Sequence, residues 1–110
     1  MDSLSQYRES LERFLSDYAK IPYAYGDIKS QTVFDHINDH YLLMNLGWDD
    51  RRVHGCLVQV DIIDGKFWIQ RDGTEYGIAR ELEDAGVPAR QIVLAFRSPE
   101  LRKHTDYAVA

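Results

Sequence analysis

From Val53 to Arg71, apolar and polar positions alternate along two runs that meet at Asp64-Gly65. That dipeptide suits a type I′ hairpin, because both turn positions require positive φ. A two-residue turn pairs Ile63 with Lys66, Ile62 with Phe67, Asp61 with Trp68 and Val60 with Ile69. With a side-chain period of two, Cys56, Val58, Val60 and Ile62 share a core face with Phe67 and Ile69. Leu57, Gln59, Asp61 and Ile63 share the other face with Trp68 and Gln70.

Upstream the period changes to that of a helix. Leu4, Tyr7, Leu11, Phe14, Leu15 and Tyr18 fall on one stripe, opposite Glu9 and Arg13. Ser3 and Gln6 fit a capping box, and Pro22 ends the helix near Lys20. After a loop over Tyr23–Asp27, Ile28–Asp35 and His40–Trp48 read as strands on either side of a polar turn. Short connections make Ile28–Asp35, His40–Trp48, Val53–Ile63 and Lys66–Arg71 an antiparallel meander. A second helix begins after Asp72-Gly73-Thr74-Glu75, buries Ile78, Leu82 and Ala85, and stops at Gly86 ahead of Pro88. Ile92–Phe96 suits a short buried strand, parallel to the hairpin if adjacent, and Ser98-Pro99-Glu100 opens a helical turn. Arg102-Lys103-His104 at its end complement the helix dipole. The expected fold is α+β: an antiparallel meander sheet, an N-terminal amphipathic helix, a helix after the hairpin, and a short C-terminal strand and helical turn.

Length and composition narrow the class. At 110 residues the chain fits one domain, 1–110, with a single core. The net charge of −5, with basic residues only in short groups such as Arg51-Arg52 and Arg102-Lys103, disfavours direct nucleic-acid binding. A protein partner is expected instead. No apolar run reaches a membrane span, and MDSLSQYRES lacks the basic and apolar regions of a signal peptide. Cys56 is the sole cysteine, which with the missing leader favours the cytoplasm.

Candidate chemistry is sparse. His36 and His40 are four residues apart, but in a turn and without the glutamate of a zinc-protease helix. Solvated turn histidines are the simpler reading. Asp61, Asp72 and Glu75 could converge on a divalent cation, which would make a small metal-dependent enzyme. Against that, Asp72 or Thr74 makes an N-cap, and Glu75 in a first helical turn complements the dipole. Gly73 and Gly77 match neither a P-loop nor a dinucleotide fingerprint. Cys56 has no activating neighbour, and reads as a small core residue. No catalytic residue, metal or cofactor is assigned. Trp68 stands out as a large apolar side chain among polar ones. With Leu57 and Ile63 it marks a possible protein interface, covered by another chain or by the fold itself.

Several stretches together resemble the XisI-like family, the fdxN element excision controlling factors of cyanobacteria. They are YGD (Tyr25–Asp27), DHYLLMNLGW (Asp39–Trp48), RRVHGCLVQVDIIDGKFWIQRDGTE (Arg51–Glu75), GIARELEDAGVP (Gly77–Pro88), IVLAF (Ile92–Phe96) and YAVA (Tyr107–Ala110). The resemblance implies an accessory role in excising a DNA element during heterocyst differentiation, where a separate site-specific recombinase cuts. It also implies a XisH-like protein partner, and brings no catalytic residues. Three readings stand at this point: a non-enzymatic factor acting by protein contact as a homo-oligomer or heteromer, the metal-dependent enzyme, and an inhibitor or antitoxin-like subunit masking a nuclease-like partner.

Overall fold

The computed structural model describes residues 3–23 and 26–110. Helix α1 (Ser3–Ala19) leads into strands β1 (Asp27–Asp35), β2 (His40–Trp48), β3 (Arg52–Ile63) and β4 (Lys66–Asp72). Helix α2 (Ile78–Asp84), a 3₁₀ turn (Ala89–Gln91), strand β5 (Ile92–Leu94) and helix α3 (Pro99–Arg102) complete the chain. One five-stranded sheet runs in the order β1-β2-β3-β4-β5. Its first four strands form the expected antiparallel meander. β5 lies parallel to β4, because the α2 crossover is long enough to return the chain in the same direction. The α+β architecture therefore follows the hydrophobic pattern, and the parallel edge makes the sheet mixed.

The central hairpin turns at Asp64 (φ 51°) and Gly65 (φ 78°), and its register from Ile63–Lys66 to Val60–Ile69 is the predicted one. Val58, Val60, Phe67 and Ile69 are fully buried on one face. Leu11 and Leu15 of α1 and Ile78 and Leu82 of α2 close over them. Each such leucine contributes roughly 2 kcal/mol of transfer free energy on burial. The rest of the α1 stripe, Leu4, Tyr7, Phe14 and Tyr18, packs at the margin of this core. α1 begins at Ser3, so the position before it is Asp2, outside the described residues, as are Ala24 and Tyr25 of the loop and the YGD stretch.

Local chemistry sets the start of α2 differently from the sequence expectation. Its first residue is Ile78, not the Thr74–Glu75 region, because Gly77 at φ 98° breaks the helical path. Asp72 still serves the helix, from six residues away. Its Oδ2 accepts from Ile78 N at 2.8 Å, while Oδ1 accepts from Thr74 N at 3.0 Å and Thr74 Oγ1 at 2.6 Å. Glu75 therefore lies in the loop, and does not complement the dipole from a first turn. At the other end Gly86 N donates to Glu83 O and Val87 N to Leu82 O, the Schellman arrangement expected of a C′ glycine. Ala85 is half-buried just past the helix, and Ala79 takes its place in the buried set.

The turn between β1 and β2 is held by contacts from α1 and β2. Asp39 adopts φ 57°. Its carboxylate accepts from Arg8 Nε of α1 at 3.1 Å and from the buried Tyr41 hydroxyl at 2.8 Å. Burial, with the Asp39 hydrogen bond, pushes the Tyr41 phenol well above its usual range. Among the described residues no helix is long and apolar enough to cross a membrane.

Candidate interaction surface

Two bulges decide which side chains reach which face. The β2–β3 register slips between Leu43 and Met44, leaving Leu57 as the extra residue. Leu57 therefore turns to the helix side, where it packs against the core. There it lines a groove of about 730 Å³ with Tyr18, Ile21, Tyr23, Glu75 and Tyr76. Cys56 leaves the core row and pairs with Met44. It is half-buried, not a core residue, and burial pushes its thiol pKa up. A second slip, between Gln59 and Val60, leaves Gln70 extra on β4. Both corrections have one cause: strict alternation cannot anticipate an inserted residue.

The three expected interface residues are thus not one patch. Ile63 and Trp68 share the face away from the helices, whereas Leu57 does not. Ile63 is 44% exposed. Trp68 is half-buried beneath the chain's own C-terminal segment, with the Arg102 guanidinium 5.5 Å from its ring centroid. Arg102 does more than complement a helix dipole. It donates to four carbonyls: Leu94 O at 3.2 Å, Arg97 O at 2.9 Å, Val109 O at 3.1 Å and Ala95 O at 3.3 Å. Ala108 N also donates to Ile92 O at 2.9 Å, which straps the tail along β5. Val93, on the face of Trp68, is fully buried as a result.

The strap covers only the β4–β5 half of this face. On the other half, register places Leu42, Met44, Leu46 and Trp48 of β2 in one row, opposite Val33, Gln31 and Lys29 of β1. Trp48 is 57% and Val33 48% exposed. β2 is apolar on both sides, since Tyr41 and Leu43 are fully buried toward the helices. Such a strand reads as one covered on both faces, yet among the described residues no helix other than α1, on the opposite face, makes extensive contact with β2. The sequence carries this row in HYLLMNLGW, but the apolar letters alone do not say which half of the run the chain itself covers.

The acids are dispersed. Asp61, 8% exposed, sits on the outer face and accepts from His40 Nδ1 at 2.8 Å, Gln59 Nε2 at 3.3 Å and Gln70 Nε2 at 3.2 Å. The Asp61 hydrogen bond raises the His40 pKa. Asp72 points the opposite way into the α2 entry, and Glu75 lines the groove. Asp61 is therefore not brought together with Asp72 and Glu75, and among the described residues no three potential ligands cluster. His40 is not a free turn histidine but the first residue of β2, and His36 contacts Glu12 of α1. The two histidines serve different contacts. Two arginines near the row are engaged with the chain itself: Arg52 lies 5.6 Å from the Trp48 ring centroid, and Arg71 Nε donates to Cys56 O at 2.8 Å.

Fold and surface together define a small α+β scaffold that keeps one half-sheet uncovered. Residues 1–109 match the family described as XisI protein, and the chain belongs to that family. A XisI-like protein from Anabaena variabilis, solved at 1.30 Å, is 38% identical with a TM-score of 0.88, over 98% of this chain and 100% of that one. The fdxN element excision controlling factor XisI from Anabaena variabilis is 31% identical with a TM-score of 0.84, over 99% of this chain and 100% of that one. Among curated proteins nothing matches the chain.

Proposed function

We propose that this chain is a non-catalytic accessory factor that controls excision of a DNA element by contact with a XisH-like protein. The observation that carries the contact is the apolar row on the outer face of β2, in which Trp48 is exposed and Leu42, Met44 and Leu46 are half-buried. Leaving such a row to water forfeits about 25 cal/mol per Å² of burial that a partner would recover. Membership of the XisI family, and a structural neighbour named as an excision controlling factor, support the process. The dispersal of Asp61, Asp72 and Glu75 supports a subunit that regulates chemistry done elsewhere. A net charge of −5 favours a protein partner over DNA. The test is co-purification with the XisH-like protein, followed by assay of the partner's DNA cleavage with and without this chain. A stable complex with altered cleavage is expected. Two proteins that stay apart by sedimentation would overturn the reading.

A further inference from the structure

β1 forms one edge of the sheet, and its outward side has features of a pairing surface. It runs for nine residues (DIKSQTVFD), longer than an ordinary strand. It contains no proline, and its register with β2 has no bulge. Natural edges are blunted by proline, bulges, short length or several inward charges. Here the strand interior offers only Lys29. Among the described residues, no backbone hydrogen bond reaches β1 from any element but β2.

We propose that two copies of this chain pair β1 against β1 across a two-fold axis at Thr32, giving one continuous ten-stranded sheet. A two-fold perpendicular to the sheet keeps core and outer faces on the same sides, so only registers centred on a residue are allowed. Centring on Gln31 sets Asp27 against Asp35, a like-charge pair at both ends. Centring on Ser30 sets Lys29 against Gln31 and matches no charges. Centring on Thr32 sets Lys29 of each copy against Asp35 of the other, Gln31 against Val33, and Ser30 against Phe34. Both ionic groups are ready for it. Lys29 is exposed and has no ion-pair partner among the described residues. The Asp35 carboxylate is held in place by Ile37 N at 3.0 Å, Asn38 N at 3.1 Å and Asn38 Nδ2 at 3.0 Å. Val33, 48% exposed, gains a neighbour in Gln31 of the second copy. The two bare β2 rows then lie on one side of the joined sheet, one β1 strand away from the axis in each copy. This dimer does not depend on the identity of any other partner.

Sedimentation velocity at concentrations on the order of 100 µM should show a dimer. Lys29→Asp replaces two attractive pairs with two repulsive ones, and should weaken association about tenfold or more. Lys29 is exposed, so the variant should keep its fold by circular dichroism. In a Cys56→Ser background, Thr32→Cys places two thiols across the axis and should cross-link under mild oxidation. Ser30→Cys places them about 13 Å apart along the strands, too far for a disulfide. A monomeric wild type, a Lys29→Asp variant that associates as well as wild type, or cross-linking at Ser30→Cys in place of Thr32→Cys would each overturn the proposal.

Discussion

Arg102→Met tests whether one side chain holds the C-terminal strap. Methionine keeps an apolar stem over Trp68 but removes the guanidinium, which donates to four carbonyls at 2.9–3.3 Å. The carbonyls are near water and can be rehydrated, so each bond is counted at the low end, about 0.5–1 kcal/mol. Loss of the cation–π contact adds about 0.5 kcal/mol. The sum is on the order of 2.5–4.5 kcal/mol, acting on the strap and not on the whole fold. The direct readout is hydrogen exchange at Ala108 N, which bonds Ile92 O at 2.9 Å. Its protection should fall by roughly 100-fold or more, while Val60 and Ile69 in the central hairpin keep theirs. In a Trp48→Phe background, Trp68 emission should also shift to the red. Unchanged protection at Ala108 would refute the clamp, and equal losses at Ala108 and Val60 would show that Arg102 supports the global fold instead.

Three further outcomes are expected. Gly47 has φ 152°, and a Cβ there would lie 1.9 Å from Asp27 O and 2.7 Å from Ile28 Cα, so Gly47→Ala should cost about 2–4 kcal/mol in denaturant titration by forcing β1 from β2. Asp72→Ala leaves Ile78 N and the Thr74 groups without their acceptor and should cost about 1–3 kcal/mol, whereas Asp72→Asn should recover part of the loss. His40 should titrate above its ordinary value by NMR because Asp61 accepts its Nδ1–H, and Asp61→Asn should lower the midpoint. Since the folded pKa is the raised one, this pair's stabilisation is complete below about pH 6.5 and fades as pH rises through the folded midpoint.

Most of the fold was readable because it rests on short-range rules. The Asp64-Gly65 turn fixed the hairpin register, and the Leu11/Leu15 stripe and Gly86 terminator fixed the helices. What escaped depends on irregularity or on distance along the chain. Leu57 and Cys56 changed sides because a bulge breaks the two-residue period, which no pattern of apolar positions reveals. α2 began late because Asp72 caps it across a loop that includes the positive-φ Gly77. The cover over Trp68 comes from Arg102, thirty-four positions along the sequence, through contacts with carbonyls that every residue possesses. The uncovered surface was present in the letters of β2, LLMNLGW, but alternation alone does not say whether a second apolar row is buried by the chain or left for a partner.

That row is also where the proposed function is most exposed to test. Met44 sits at its centre, half-buried, with Leu42 and Leu46 on either side. Met44→Glu places a charge where an apolar contact is proposed, and Gln6→Glu on exposed α1 provides the same charge change away from the sheet. Affinity for the XisH-like protein should be measured by titration calorimetry on wild type and both variants, with thermal melts confirming that each is folded. We expect Met44→Glu to weaken binding about 100-fold, or ~2.7 kcal/mol, and Gln6→Glu to bind as wild type. A folded Met44→Glu that binds the partner with wild-type affinity would contradict the assignment of this surface.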